Sequence, residues 1–420
     1  MKFSYFSQYR GLRKEIYVLF FGRVVTNLGS MVWPMLTMIL SRKMGLDATT
    51  ISLVTVGSGL LMIPANLLGG RLADKRNKKR IIVIGDSISI LFYLICGLIP
   101  LSAATVVMML LAGIFQSLEG PSYNALIADL SSTKDRDRAY SLQYLGGNLG
   151  LVLSPTLSGL LFEKYLWLSF LISGFAIACS TVLIALLVRD IRPEPDDSEA
   201  SVYQASQEKT PLLEIFRHTP ILLLFMIGTA LYYGAYAQYT FLLPLEMGRV
   251  HGESGALIFG TVSSLNCIVV VFFTPLITRL FARLREPGKL LIGQGLLAVG
   301  YLLFLLLMGK IPTYYIAMLL FTWGEIFSTL AEGPYLSRRI PASHRGRLGG
   351  FSTVLQFMIQ GACELGVGKL YDVAGSAVTW FAVLGLLTAA AAITAILALR
   401  DRRMFPKLYE SAAVSADGLK

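Results

Sequence analysis

The chain has 420 residues, 55% of them hydrophobic and only 15% charged, with a formal charge of +11 at pH 7. A soluble chain carries about a quarter charged residues, so this composition excludes an array of soluble domains. The basic excess sits in short loops between apolar runs, which leaves no basic face to track phosphates and excludes nucleic acid as a partner.

In chain order, a polar, basic start (Met1 to Lys14) precedes an apolar run too long for a signal peptide and without a small-residue cleavage site. That run is read as a retained first transmembrane helix. Crossing a bilayer takes about 20 apolar residues. Runs of that kind predict twelve spans, at 16–41, 49–70, 81–101, 103–128, 139–162, 166–188, 220–246, 254–278, 289–309, 312–337, 346–371 and 375–399. Backbone groups in hydrocarbon must pair within their own segment, so the spans are expected to be helices, and the short alternating segments of a β-barrel are missing. The fold class expected is an all-α membrane protein.

Lysine and arginine set the orientation. With both termini inside, cytoplasmic segments hold 30 basic residues, including Arg71, Lys75, Arg76, Lys78, Lys79 and Arg80 between spans 2 and 3. The opposite side holds 6: Arg42, Lys43, Lys164, Arg249, Lys310 and Lys369; Arg23 lies within span 1. This bias predicts an integral protein of the cytoplasmic (plasma) membrane with both termini cytosolic. The longest loop, 189–219, is rich in Asp, Glu, Ser, Gln and Pro and reads as a flexible linker. The expected domains are a six-helix bundle at 1–188, the linker at 189–219, a second bundle at 220–399 and a cytoplasmic tail at 400–420.

A repeat supports the six-and-six division. Glu119-Gly120-Pro121 in span 4 returns as Glu332-Gly333-Pro334 in span 10, followed by the basic pairs Arg136/Arg138 and Arg345/Arg347. Span 5 ends Gly159-Leu160-Leu161-Phe162-Glu163 and span 11 ends Gly368-Lys369-Leu370-Tyr371-Asp372. Two pseudo-symmetric six-helix bundles place a substrate site between them, near mid-membrane.

The loop after span 2, Gly70-Arg71-Leu72-Ala73-Asp74-Lys75-Arg76-Asn77-Lys78-Lys79-Arg80, resembles the loop 2–3 signature of the major facilitator superfamily, with Asn77 at the usual second glycine. Gly324-Glu325, followed by Pro341 and Arg345-Gly346-Arg347, resembles the family's span 10 pattern. Gln116 stands where the span 4 pattern has arginine, and Ser154 replaces a glycine in the span 5 pattern Gly150-Leu151-Val152-Leu153-Ser154-Pro155. Loop 8–9, Arg279 to Lys289, keeps basic charge but lacks the aspartate. The resemblance covers spans 1 to 12 and points to the twelve-helix, drug:proton antiporter-like branch. It implies the major facilitator fold and secondary transport by alternating access.

Ionisable groups in hydrocarbon are costly and face a partner or water. The candidates are Arg23, Asp86, Glu119, Glu325, Glu332 and Glu364. Arg23, Asp86 and Glu119 share a depth, so Arg23 can neutralise one of the two carboxylates, and Asp86 reads equally as a static helix-orienting pair. In the resembled family span 4 lines the cavity, which favours Glu119 as functional. Glu325 and Glu332, seven apart, share a helix face, and Gln356, Gln360 and Glu364 form a stripe on span 11. Glu325, near mid-membrane, is the leading proton or cation-substrate site; Glu332 is a gate candidate. Trp33, Tyr232, Tyr233, Tyr236 and Gln238 lie on helices that line the family's cavity, and aromatic faces suit lipophilic cations. Gly146, Gly150, Ser154 and Ser158 form a small-residue stripe for close helix contact. Gly70, Arg71, Asp74, Arg80 and Asp129 are read as a conformational latch.

The four cysteines (Cys96, Cys179, Cys267, Cys363) fall in spans without metal spacing, and His218, His251 and His344 fall in loops. No nucleotide loop or nucleophile triad is present, so neither an enzyme nor an ATP-driven pump is expected, and no cofactor beyond a proton gradient. The expected function is proton-coupled efflux of a small amphiphilic compound by a monomer in the lipid bilayer. Uptake, lipid or metabolite transport by the same fold, and a non-transporting membrane sensor are the alternatives.

Overall fold

The computed structural model describes residues 9–131, 135–189, 212–339 and 345–406. The side chains of Asp74, Arg136, Arg345 and Arg347 lie outside the described residues, as do Pro341, His344, 190–211 of the linker and the tail beyond 406.

Among the described residues, ten helical segments are long and apolar enough to cross a bilayer. Two of them, Pro220–Leu280 and Leu348–Met404, run for 61 and 57 residues, nearly three times the roughly 20 that one crossing needs. Each is interrupted by a glycine in left-handed backbone, Gly252 at φ +56 and Gly375 at φ +75, a conformation glycine adopts without a steric penalty. Divided there, the ten segments become the twelve predicted spans.

Span 1 is helical over Lys14–Leu28, then continues as 3₁₀ turns at Trp33–Met35 and a π-turn at Ile39–Lys43. The following helices are Ala48–Lys75 (span 2), Lys78–Leu98 (span 3), Ala103–Leu130 (span 4), Arg136–Leu151 with Ser154–Phe162 (span 5) and Leu166–Leu187 (span 6). After the short helix Leu212–His218, span 7 comprises Pro220–Tyr236 and Leu242–His251, and span 8 is Gly255–Leu280. Spans 9 and 10 are Glu286–Leu306 and Ile311–Arg339; spans 11 and 12 divide Arg345–Met404 at Gly375.

Span 3 starts three residues before its predicted start at residue 81. Asn77, the residue at the second-glycine position, accepts the backbone N–H of Arg80 at 3.0 Å and caps the helix. Asp47 caps span 2 in the same way, accepting from Thr50 N at 3.0 Å. That bond holds the Asp47 carboxyl below its ordinary range.

Span 5 breaks before Pro155, whose ring has no N–H and is tolerated only in a helix's first turn. Its small-residue stripe lies on span 1. A Cβ on Gly146 would stand 2.8 Å from the Phe20 ring, and one on Gly150 2.5 Å from Val24 O. Where span 1 leaves helical geometry, its freed carbonyls are taken up by hydroxyls: Ser154 donates to Ser30 O at 2.8 Å, Ser158 to Met31 O, and Ser173 of span 6 to Gly29 O at 2.6 Å. Broken helices persist in a bilayer only where such groups replace the lost backbone bonds.

Packing groups the chain into two compact units, Met1–Pro195 with Leu243–Val271, and Asp196–Leu242 with Phe272–Lys420. The six-and-six division of the sequence follows connectivity; span 8 packs mostly with the first unit. In that unit Ile16, Leu19, Ile82, Leu126, Leu130, Leu142 and Ile184 form one core. Spans 5 and 8 meet backbone to backbone, with a Cβ on Gly260 only 2.2 Å from Pro155 O, and Thr156 and Ser264 share a hydroxyl bond at 2.7 Å. In the second unit Ile221, Leu222, Phe225, Met226, Leu290, Tyr335, Leu348 and Leu397 form the core.

Candidate functional site

Two groups of membrane-embedded polar residues stand out, one in each unit. In the second unit, span 10 is clamped to span 9 by two glycines. A Cβ on Gly324 would fall 2.6 Å from Gly293 O, and one on Gly293 2.7 Å from Gly324 O. This contact fixes the rotation of span 10 and presents the next residue, Glu325, to span 7. There Tyr236 donates its hydroxyl to Glu325 Oε1 at 2.9 Å. Two turns on, Glu332 accepts from Tyr233 OH at 2.7 Å and from Gln356 Nε2 of span 11 at 2.6 Å.

The rings around Glu325 are stacked. Tyr236 lies on Phe321 with centroids 5.2 Å apart, and Tyr239 and Tyr301 flank the same phenylalanine at 5.1 and 5.7 Å. Tyr301 also donates to Ala235 O at 2.9 Å, satisfying a carbonyl where span 7 passes into its 3₁₀ turn. Tyr232 is buried beside Tyr233 and Tyr236. Thus Glu325, Glu332, Tyr232, Tyr233, Tyr236 and Gln356 come together. Gln238 turns back to its own helix, donating to Gly234 O at 2.9 Å. Gln360 and Glu364 follow on span 11, both half-buried.

In the first unit a cavity of about 580 Å³ is lined by Arg23, Asn27, Trp33, Asp86, Gln116 and Glu119, among others. Arg23, Asp86 and Glu119 therefore share a depth. Arg23 makes no direct ion pair with either acid; it acts on Glu119 through space. The acids are instead hydrogen-bonded to each other. Asp86 Oδ2 also accepts from Thr181 Oγ1 at 2.7 Å and from Tyr123 OH at 3.4 Å. Trp33 donates from Nε1 to Tyr93 OH at 2.9 Å. Gln116, at the arginine position of the span 4 pattern, is on the cavity wall.

Of the latch residues, Asp129 pairs with Lys78 Nζ at 2.7 Å, while Arg71 and Arg80 are exposed and a Cβ on Gly70 would meet open space. Asp74 sits in the last turn of span 2, and its side chain is outside the described residues.

Sequence reasoning missed a third group, at the ends of spans 9, 10 and 12. Arg339 lies between Asp401 and Glu286, bonding Asp401 through Nε at 2.7 Å and Nη2 at 2.5 Å and reaching Glu286 at 3.4 Å. Tyr335 donates to Asp401 at 3.1 Å, its ring lies 3.9 Å under the guanidinium, and Arg338 pairs with Glu286. Burial works against the charge of Arg339, but the bond and charge of Asp401 outweigh it and raise its pKa above the ordinary arginine value. Glu286 supplies an acid to the loop 8–9 region that lacks the aspartate. The signal was a conserved charge count, one acid after each basic end, hidden because Arg338 and Arg339 read as orientation signals.

The sequence profile of the Major Facilitator Superfamily matches residues 19–363. The chain is 25% identical over 351 residues to a Na(+), Li(+), K(+)/H(+) antiporter of Planococcus maritimus, covering 76% of this chain and 80% of the relative. It is 27% identical over 197 residues to the quinolone resistance protein NorA of Staphylococcus aureus, 46% of this chain and 49% of that one. Among solved structures, the peptide transporter POT in complex with sulfate aligns with a TM-score of 0.75 at 17% identity, covering 94% of this chain and 95% of that one. The nucleoside transporter NupG aligns at 0.73 and 12%, covering 92% and 100%. At these identities the structures share the fold.

Proposed function

Because the chain belongs to the Major Facilitator Superfamily and is an integral membrane transporter rather than an enzyme, we propose that it exports a small amphiphilic compound in exchange for protons, by alternating access. The observation that carries this reading is the tyrosine-held carboxylate pair of span 10, Glu325 and Glu332, beside a stack of aromatic rings. A carboxylate bonded to a phenol can hold or release a proton, and an ionised one beside aromatic faces attracts an amphiphilic cation. Proton and substrate then compete for Glu325, which is what exchange requires. Glu332, held from spans 7 and 11 together, acts as the gate.

Similarity to an antiporter and to a quinolone resistance protein supports exchange and export. The 30-to-6 distribution of basic residues supports cytosolic termini in the plasma membrane. The proton gradient is the driving force, the monomer the working unit, and the loop after span 2, with Asp74 and the Lys78–Asp129 pair, the latch.

The test is flux of fluorescent amphiphilic cations in proteoliposomes with an imposed pH gradient. Gradient-driven accumulation supports the proposal. Transport that ignores the gradient, or absence of flux for every amphiphile tried, sinks it.

A further inference from the structure

We infer that the Asp86–Glu119 pair in the first unit is a monovalent-cation site at which an alkali ion and a proton compete, a role beyond the exchange proposed for Glu325. The two carboxyls are hydrogen-bonded to each other. Ionised carboxylates only accept hydrogen bonds, so this contact requires one cation between them, and a proton fills that place in the observed geometry.

The oxygens gathered here exceed what a proton needs. Thr181 Oγ1 of span 6 and Tyr123 OH of span 4 stand 2.7 and 3.4 Å from Asp86 Oδ2. Glu119 is 6% exposed, lines the cavity, and its Oε2 has no hydrogen-bond partner among the described residues. Every one of these donors is oxygen, the ligand type of hard cations; nothing soft is present to favour a transition metal.

Charge balance fixes the valence. With both acids ionised, Arg23 on the same cavity wall leaves one negative charge uncompensated. One monovalent cation neutralises the group, and a divalent ion would overshoot; a net charge held in hydrocarbon is costly. The other titratable groups on the wall are the phenols Tyr93, Tyr140 and Tyr144, neutral over the ordinary pH range.

The experiment is equilibrium binding of radioactive sodium ion to the purified full-length chain in detergent. Expected is one saturable sodium per chain at about pH 8, weakened roughly tenfold or more at about pH 5.5, where protons compete. Asp86→Asn and Glu119→Gln abolish it. Thr181→Val keeps every charge and weakens it about tenfold, so a variant that folds remains available if the acid substitutions do not. Glu325→Gln leaves sodium binding intact, which separates this site from the exchange proposed in the other unit. Saturable sodium should also raise the melting temperature relative to choline. No saturable binding, or equal binding in Asp86→Asn, overturns the inference and leaves the pair a proton site only.

Discussion

Tyr236 on span 7 donates its hydroxyl to Glu325 on span 10 across 2.9 Å. The phenol stabilises the ionised carboxylate, and its ring stacks on Phe321. Tyr236→Phe keeps the stack and removes a bond to a charged group worth roughly 1.5–3 kcal/mol. Gradient-driven flux should fall by about tenfold or more, with binding of a neutral amphiphile unchanged. Glu325→Gln should abolish uphill transport and retain downhill exchange. Full accumulation by Glu325→Gln in proteoliposomes would remove it as the coupling site.

Single cysteines at Asn77 and Glu253, in a chain lacking the four native cysteines, should label from opposite sides of the membrane. The basic bias places the loop after span 2 in the cytosol and the turn before span 8 outside. Labelling of both by one impermeant reagent in intact cells contradicts the twelve-span orientation.

Asp401→Ala should destabilise the chain strongly. It strands Arg339, whose side chain is 1% exposed, and breaking a buried pair by removing one partner costs about 3–5 kcal/mol. The melting temperature in detergent should drop, and initial flux per folded molecule should change less. An unchanged melting temperature would show that water reaches Arg339.

Thr156→Cys with Ser264→Cys should cross-link under mild oxidation, since the native hydroxyls are 2.7 Å apart. Adding Gly260→Leu should prevent it, because even a Cβ there lies 2.2 Å from Pro155 O. Cross-linking unaffected by that leucine would mean that spans 5 and 8 do not meet at Gly260.

Asp74→Asn should slow the transport cycle while insertion and folding stay near normal, as the latch reading requires. The assay is transport rate against the amount of folded protein, with Asp129→Asn, which frees Lys78, compared beside it. Normal rates in both variants would dismiss the latch.

The sequence by itself determined the membrane class, the span positions and the family resemblance. Hydrocarbon imposes one local rule, about 20 apolar residues closing their own backbone bonds, and a local rule is legible in a local pattern. The stripe of Gly146, Gly150, Ser154 and Ser158 was legible as a contact surface for the same reason, since spacing four fixes one helix face. Its partner was not: only the fold shows that these serines serve the broken backbone of span 1. Likewise Glu325, Glu332 and the span 7 tyrosines could each be named from their spans, but their pairing depends on how the Gly293–Gly324 contact rotates span 10. Asp86 meeting Glu119, and Arg339 meeting Asp401 across 62 positions, were decided by tertiary structure alone. Which side chains meet is set by helix rotation and tilt, and those come from packing between segments far apart in the chain.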